Sequence, residues 1–157
     1  MITTGGTIAS QEGEDGLEPK TTGQQMLDLI PELQSLCEID CVDLLNLDST
    51  NMQPEEWAVM AKAAFEGMKN HDGIVITHGT DTLEETAYLL DLTINSDKPV
   101  VITGAMRSGS ELGYDGPSNL AASICTAISD DAKGRGVLVC FNGELNSAAE
   151  VTKANSM

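Results

Sequence analysis

The chain has 157 residues, with 8 Lys and Arg against 25 Asp and Glu, for a formal net charge of −17. That charge repels phosphate backbones and anionic lipid, which argues against a nucleic-acid binder or a membrane-surface protein. Hydrophobic residues make up 41% and aromatics only 3%, so a globular core must come from Val, Ile, Leu, Ala and Met, and no apolar run approaches the roughly 20 residues of a membrane helix.

In chain order, Met1-Ile2-Thr3 reads as the end of a strand entering a Gly5-Gly6 turn. Thr22 and Gln25 form a capping box ahead of Met26, Leu27 and Ile30, and Pro31 then breaks that helix, with Leu33 and Leu36 in a further turn. Residues 39–45 read as a strand. Pro54 suits a first helical position, followed by Glu55 and Glu56 and by the stripe Trp57, Met60, Ala61, Ala64, Phe65 and Met68. Residues 74–77, 100–103 and 137–141 are apolar runs without alternation, as in a parallel sheet buried on both faces. Leu83, Ala87, Leu90 and Ile94 form a second helical stripe, and Pro117 opens a third through Leu120, Ile124 and Ile128. Residues 13–16 and 107–116 read as loops. The alternation predicts an α/β three-layer sandwich around a mainly parallel sheet, in a flavodoxin-like or Rossmann-like arrangement. Residues 1–157 read as one large domain whose first strand lacks its beginning and whose end lacks a closing element, hence as a fragment.

Cys37, Cys41, Cys125 and Cys140 show neither a CxxC nor a zinc spacing. Cys125 and Cys140 lie in apolar stretches, as small hydrophobes do. The expectation is four free thiols in a reducing compartment. No basic region followed by an apolar run opens the chain, so a cytoplasmic location is expected.

Ligands in an open parallel sheet bind beyond the carboxyl ends of the strands. Four polar clusters fall there: Thr3-Thr4-Gly5-Gly6-Thr7, Asp48-Ser49-Thr50, Thr77-His78-Gly79-Thr80-Asp81-Thr82 and Gly104-Ala105-Met106-Arg107. The glycine pair lets the backbone turn tightly and approach a ligand; an ordinary strand-to-loop turn has the same composition. No phosphate-loop pattern is present. Thr80 and Asp81 read as site residues or as helix caps, and Thr82 as a cap ahead of Glu84 and Glu85. His78 stands before the glycine with no GxSxG elbow, so it is not expected in a triad, and His71 is expected at the surface.

TTGGTIAS at 3–10, GIVITHGTDTLEETAYLLDL at 73–92, KPVVITGAMR at 98–107, DGPSNL at 115–120 and VTK at 151–153 resemble the bacterial-type L-asparaginase family, in its large N-terminal domain. The resemblance implies hydrolysis of L-asparagine, with L-glutamine as an alternative amide, through an acyl-threonine intermediate, and no metal or other cofactor. It assigns the nucleophile to Thr7, and Thr80, Asp81 and Lys153 to the catalytic set. A threonine hydroxyl needs a neighbouring base, and a lysine serves as one only if desolvation or a second cation removes its proton. The resemblance also gives Ser49 the substrate α-carboxylate, Asp81 the α-ammonium and Ala105 the side-chain amide, with Thr50 and Gly79 beside them.

Three departures stand out. Thr50 occupies a position that is often Gln in the family. The stretch 10–21 carries Leu17 near the place of a catalytic tyrosine, and neither Tyr88 nor Tyr114 is expected to replace it; some members share the GL-x-P form, so this is read as a subgroup feature. The third is truncation: family sites are completed by a neighbouring subunit's C-terminal domain, so a homo-oligomer, dimer or tetramer, is expected of the full-length form, and little activity of this piece alone. Two rivals stand beside the hydrolase: the amidase subunit of a tRNA-dependent amidotransferase, and a non-catalytic fragment that binds an amino acid.

Overall fold

The computed structural model describes residues 1–13 and 16–156. Strand β1 (Ile2–Gly5) leads through a short 3-10 turn, Thr7–Ala9, into a hairpin of β2 (Ser10–Gly13) and β3 (Gly16–Pro19). Helix α1 (Gly23–Asp28), β4 (Val42–Leu47), α2 (Pro54–Met68), β5 (Ile74–Thr77), α3 (Leu83–Thr93), β6 (Val100–Thr103), α4 (Gly116–Ala127), β7 (Val137–Phe141) and β8 (Glu144–Ser147) follow. Among the described residues the main sheet has the order β4-β1-β5-β6-β7-β8. Its neighbours pair in parallel except β7 and β8, which are antiparallel.

Counted along the parallel strands alone, the order is second-first-third-fourth-fifth, the flavodoxin-like winding. The chain leaves β1 to one side for β4 and returns to its other side for β5. The crevice at this reversal therefore opens beyond the carboxyl ends of β1 and β5, where the TGGT and HGTDT runs begin.

Why β5, β6 and β7 are apolar throughout is visible in the two cores. Ile74, Ile76, Val100, Ile102, Val137 and Val139 face Ala64, Met68, Leu83, Ala87 and Leu90 of α2 and α3. Val75, Val101 and Cys140 face the other way, onto Met26, Leu27, Leu120 and Ile124 of α1 and α4. This is the three-layer α/β sandwich. Each buried aliphatic side chain contributes about 1.5–3 kcal/mol against exposure. No helix among the described residues is long and apolar enough to cross a membrane.

The Thr22–Gln25 capping box forms at α1, and Pro54 opens α2 with Glu55 and Glu56 in the first turn. Several expectations are corrected. The strand read over 39–45 runs Val42–Leu47. The stretch 10–21 is largely a hairpin; of the loop expected at 13–16, residues 14 and 15 lie outside the described residues. Phe65 and Ile128 do not join the core: Phe65 follows the buried Ala64 by one residue, about 100° around the helix, and Ile128 is the residue that ends α4, so both are exposed. Leu33 is buried but Leu36 is exposed. Of the two cysteines read as small hydrophobes, Cys140 is buried and Cys125 is exposed on the outer side of α4; all four cysteines are free.

Candidate active site

Close backbone contacts draw the TGGT, DST and HGTDT loops together. Gly5 has φ 101° and lies against the Leu47 backbone, and the Gly6 amide donates to the Leu47 carbonyl at 2.9 Å. Gly6, at φ 75°, packs its Cα against the backbone of Gly79 so closely that a Cβ there would overlap it. A Cβ on Gly79 would fall 2.5 Å from Ser49 Oγ. Glycine is needed at both positions because the Gly6 and Gly79 backbones touch and the Ser49 side chain fills the remaining space against Gly79. Thr7 and Thr80 are the next residues along from this contact.

Thr7 opens the 3-10 turn, partly exposed, and its hydroxyl makes no hydrogen bond among the described residues. Thr80 is buried to 9% relative exposure. Lys153 reaches it from beyond β8, donating from Nζ to Thr80 Oγ1 at 2.9 Å and to Asp81 Oδ1 at 2.7 Å. The Lys153 amide donates to Glu84 Oε2, in the first turn of α3, which ties the last segment to that helix. An open cavity of about 480 Å³ adjoins this pair, with Thr80, Glu84, Arg107, Asp115, Phe141 and Lys153 in its wall. The other predicted residues are not part of that wall.

Ser49 is buried, and its Oγ accepts the Asp81 amide at 3.1 Å, which leaves its own proton to donate. It stands in a separate turn, Ser49–Asn51, capped by Asp48, while α2 starts later at Pro54. Thr50 is exposed and donates to Asp48 Oδ1 at 2.7 Å. Thr82 is corrected: it stands at the cap position of α3 but makes no capping bond, and its hydroxyl donates instead to the Ser49 carbonyl at 2.9 Å.

Ala105 is fully buried after β6, and no hydrogen bond reaches its carbonyl among the described residues. Its neighbours are firmly held. The Asp115 carboxylate accepts the amides of Met106 at 3.0 Å and Arg107 at 2.9 Å. Buried Asn119 donates to the Gly104 carbonyl at 3.0 Å and accepts the Asn142 amide at 3.0 Å.

His78 stays outside the reactive group. It is fully buried beneath the loop, with Nδ1 2.6 Å from the Gly79 carbonyl and Nε2 3.1 Å from Thr86 Oγ1, which also accepts Trp57 Nε1 at 2.8 Å. One proton arrangement satisfies all three contacts: Trp57 donates to Thr86, Thr86 to Nε2, and Nδ1–H to Gly79. Burial holds the His78 pKa below its ordinary value, which keeps this neutral form. His71 lies at the surface against Asp40.

Sequence reasoning missed three organisers. Asp115 and Asn119 lie in DGPSNL, whose only signal was the resemblance. Tyr114 was set aside by position, yet its hydroxyl donates to the Ile8 carbonyl at 2.5 Å, one residue beyond Thr7. Among the described residues no group of three or more His, Cys, Asp or Glu is placed to hold a metal ion.

A family profile described as the asparaginase N-terminal domain matches residues 1–157. The chain is 41% identical to a probable periplasmic L-asparaginase of Haemophilus influenzae, covering 99% of this chain and 46% of that protein. It is 40% identical to L-asparaginase 2 of Bacillus subtilis, covering 99% and 44%. A crystal structure of a probable cytoplasmic L-asparaginase from Campylobacter jejuni superposes with a TM-score of 0.90 at 41% identity, covering 99% of this chain and 48% of that one. The chain thus spans about half the length of these relatives.

Proposed function

The chain belongs to the asparaginase family, whose N-terminal domain it matches throughout, and on that premise we propose that it is the catalytic domain of an amidohydrolase converting L-asparagine and water to L-aspartate and ammonia. The observation that carries this reading is Lys153 Nζ bridging Thr80 and Asp81 beside the Gly6–Gly79 contact. Lys153 thus meets Thr80 and Asp81 across 73 and 72 positions of chain, and Thr7 follows directly on Gly6 at the neighbouring strand end.

In the proposed reaction Thr7 Oγ1 attacks the side-chain amide carbon. Its proton passes through the Thr80–Lys153 pair to the departing nitrogen, the C–N bond breaks, and ammonia leaves an acyl ester on Thr7. Water then adds to the ester carbon, giving up its proton by the same route, and the C–O bond breaks to return the Thr7 hydroxyl and release aspartate. The free Ser49 proton suits the substrate α-carboxylate. The second Asp81 oxygen, which Lys153 leaves open, suits its α-ammonium. The Ala105 carbonyl accepts from the side-chain amide, with Gly79 and Thr50 flanking the substrate. L-Glutamine is the second amide to try.

The same reading makes residues 1–157 the large N-terminal domain of a homo-oligomeric enzyme, dimer or tetramer, acting on a small amino acid. Relatives carry names from both compartments, one periplasmic and one cytoplasmic; four free thiols favour the cytoplasm here. The test is ammonia release from L-asparagine by the full-length protein beside its Thr7→Ala variant. Turnover that survives this change sinks the assignment, and binding of aspartate without turnover in the unaltered protein assigns the amino-acid-binding role instead.

A further inference from the structure

We propose that Tyr114 is a positioning residue for the Thr7 nucleophile: its hydroxyl clamps the Ile8 carbonyl and so fixes the turn from which Thr7 projects. The proposal rests on the assignment of Thr7 above. The Thr7 hydroxyl has no hydrogen bond of its own among the described residues, so its direction depends on its backbone. That backbone is pinned at each carbonyl. Gly6 accepts the Ala9 amide at 3.0 Å and the Ser10 hydroxyl at 2.9 Å, Thr7 accepts the Ser10 amide, and Ala9 accepts the amides of Lys20 and Thr21 at 2.9 Å each. The Ile8 carbonyl is the exception: it is held by a side chain 106 residues away.

The anchor behind this bond is rigid. Tyr114 precedes Asp115, whose carboxylate gathers the Met106 and Arg107 amides and the Asn119 side chain at the start of α4. The phenol ring packs so closely over Gly116 that a Cβ there would overlap it. Two further bonds join the same two segments, one donated from each side: the Gly109 amide donates to the Ser10 carbonyl at 3.0 Å, and the Glu12 amide to Ser110 Oγ at 2.8 Å. Residues 109–114 thus clasp the turn and β2 from above. The phenol does not titrate in this role, because burial, and secondarily the Asp115 charge, push its pKa up to about 12. It therefore remains a donor at neutral pH.

Tyr114→Phe keeps the ring and removes only the hydroxyl. The expected result is a kcat lowered about ten- to hundredfold, with KM within roughly twofold, because substrate contacts on Ser49 and Asp81 are untouched. Amide exchange over residues 8–12 accelerates about tenfold while β5 and β6 keep their protection. Unchanged kcat with unchanged exchange overturns the proposal, as does a loss confined to KM. Kinetics are read on the full-length protein: if the unaltered full-length protein releases no ammonia, the functional reading is overturned, and the exchange measurement then decides the clamp by itself.

Discussion

Gly6 and Gly79 meet backbone to backbone, although 73 positions separate them in the chain. Gly6 carries φ 75° and ψ −178°, a combination open to glycine and strained for other residues. Gly6→Ala therefore combines about 1–3 kcal/mol of backbone strain with a direct overlap on Gly79. Thermal unfolding should show a large loss of stability, and ammonia release should vanish. Gly143→Ala is the matched control, since Gly143 also has positive φ, 77°, but open space around it. Equal losses for the two variants would show that the contact is unimportant.

Removing the Thr7 hydroxyl breaks no hydrogen bond among the described residues. Thr7→Ala should thus leave the melting temperature unchanged while lowering kcat about a thousandfold or more. Thr7→Ser keeps a hydroxyl and should retain part of the rate. Steady-state ammonia release with a parallel melt checks both statements.

Lys153→Met removes an ion pair in which the lysine side chain is 26% exposed and Asp81 is 53% exposed. Such a pair contributes about 0–1 kcal/mol, so the fold should barely notice. The rate should fall about 10²–10⁴-fold. Lys153→Arg should not restore it, because a guanidinium keeps its proton. Full activity in the arginine variant would remove Lys153 from the proton path.

Asp40 and His71 supply a pH signature away from the site. The Asp40 hydrogen bond, with help from the Gly67 carbonyl, raises the His71 pKa above 6.5, and His71 lowers that of Asp40 below 3.8. The His71 contribution is complete below pH 6.5 and fades as pH rises through its raised value. The Asp40 contribution is complete above pH 3.8 and fades as pH falls through its lowered value. The pair is therefore strongest between about pH 4 and 6.5. Asp40→Asn should lower the melting temperature at about pH 5.5 and leave it unchanged at about pH 9. A His71 proton titration unaltered by the substitution would contradict the pairing.

The parallel core was legible because β5, β6 and β7 are short β-branched runs between Gly, Lys and Pro, and burial on both faces leaves no room for polar residues. The edge elements were not. Ser10–Gly13, Gly16–Pro19 and Glu144–Ser147 are polar, and their conformation is set by pairing with one another or with β7. Composition carries no trace of such pairing. At the site, Thr80, Asp81 and Lys153 could be grouped by their motifs, and their side chains do meet. The Ile8–Tyr114 bond and the Trp57–Thr86–His78 chain could not be foreseen: each joins segments through one atom pair, and no periodicity encodes a meeting of that kind.

Trp57 is the chain's single tryptophan. Three successive hydrogen bonds link its indole through Thr86 and His78 to the Gly79 carbonyl, in the loop that carries Thr80 and Asp81. The protein thereby contains its own fluorophore wired to that loop. Among residues 1–157 a single indole is thus joined to the loop, and a change of Trp57 emission on ligand addition is the expected sign that the loop has responded.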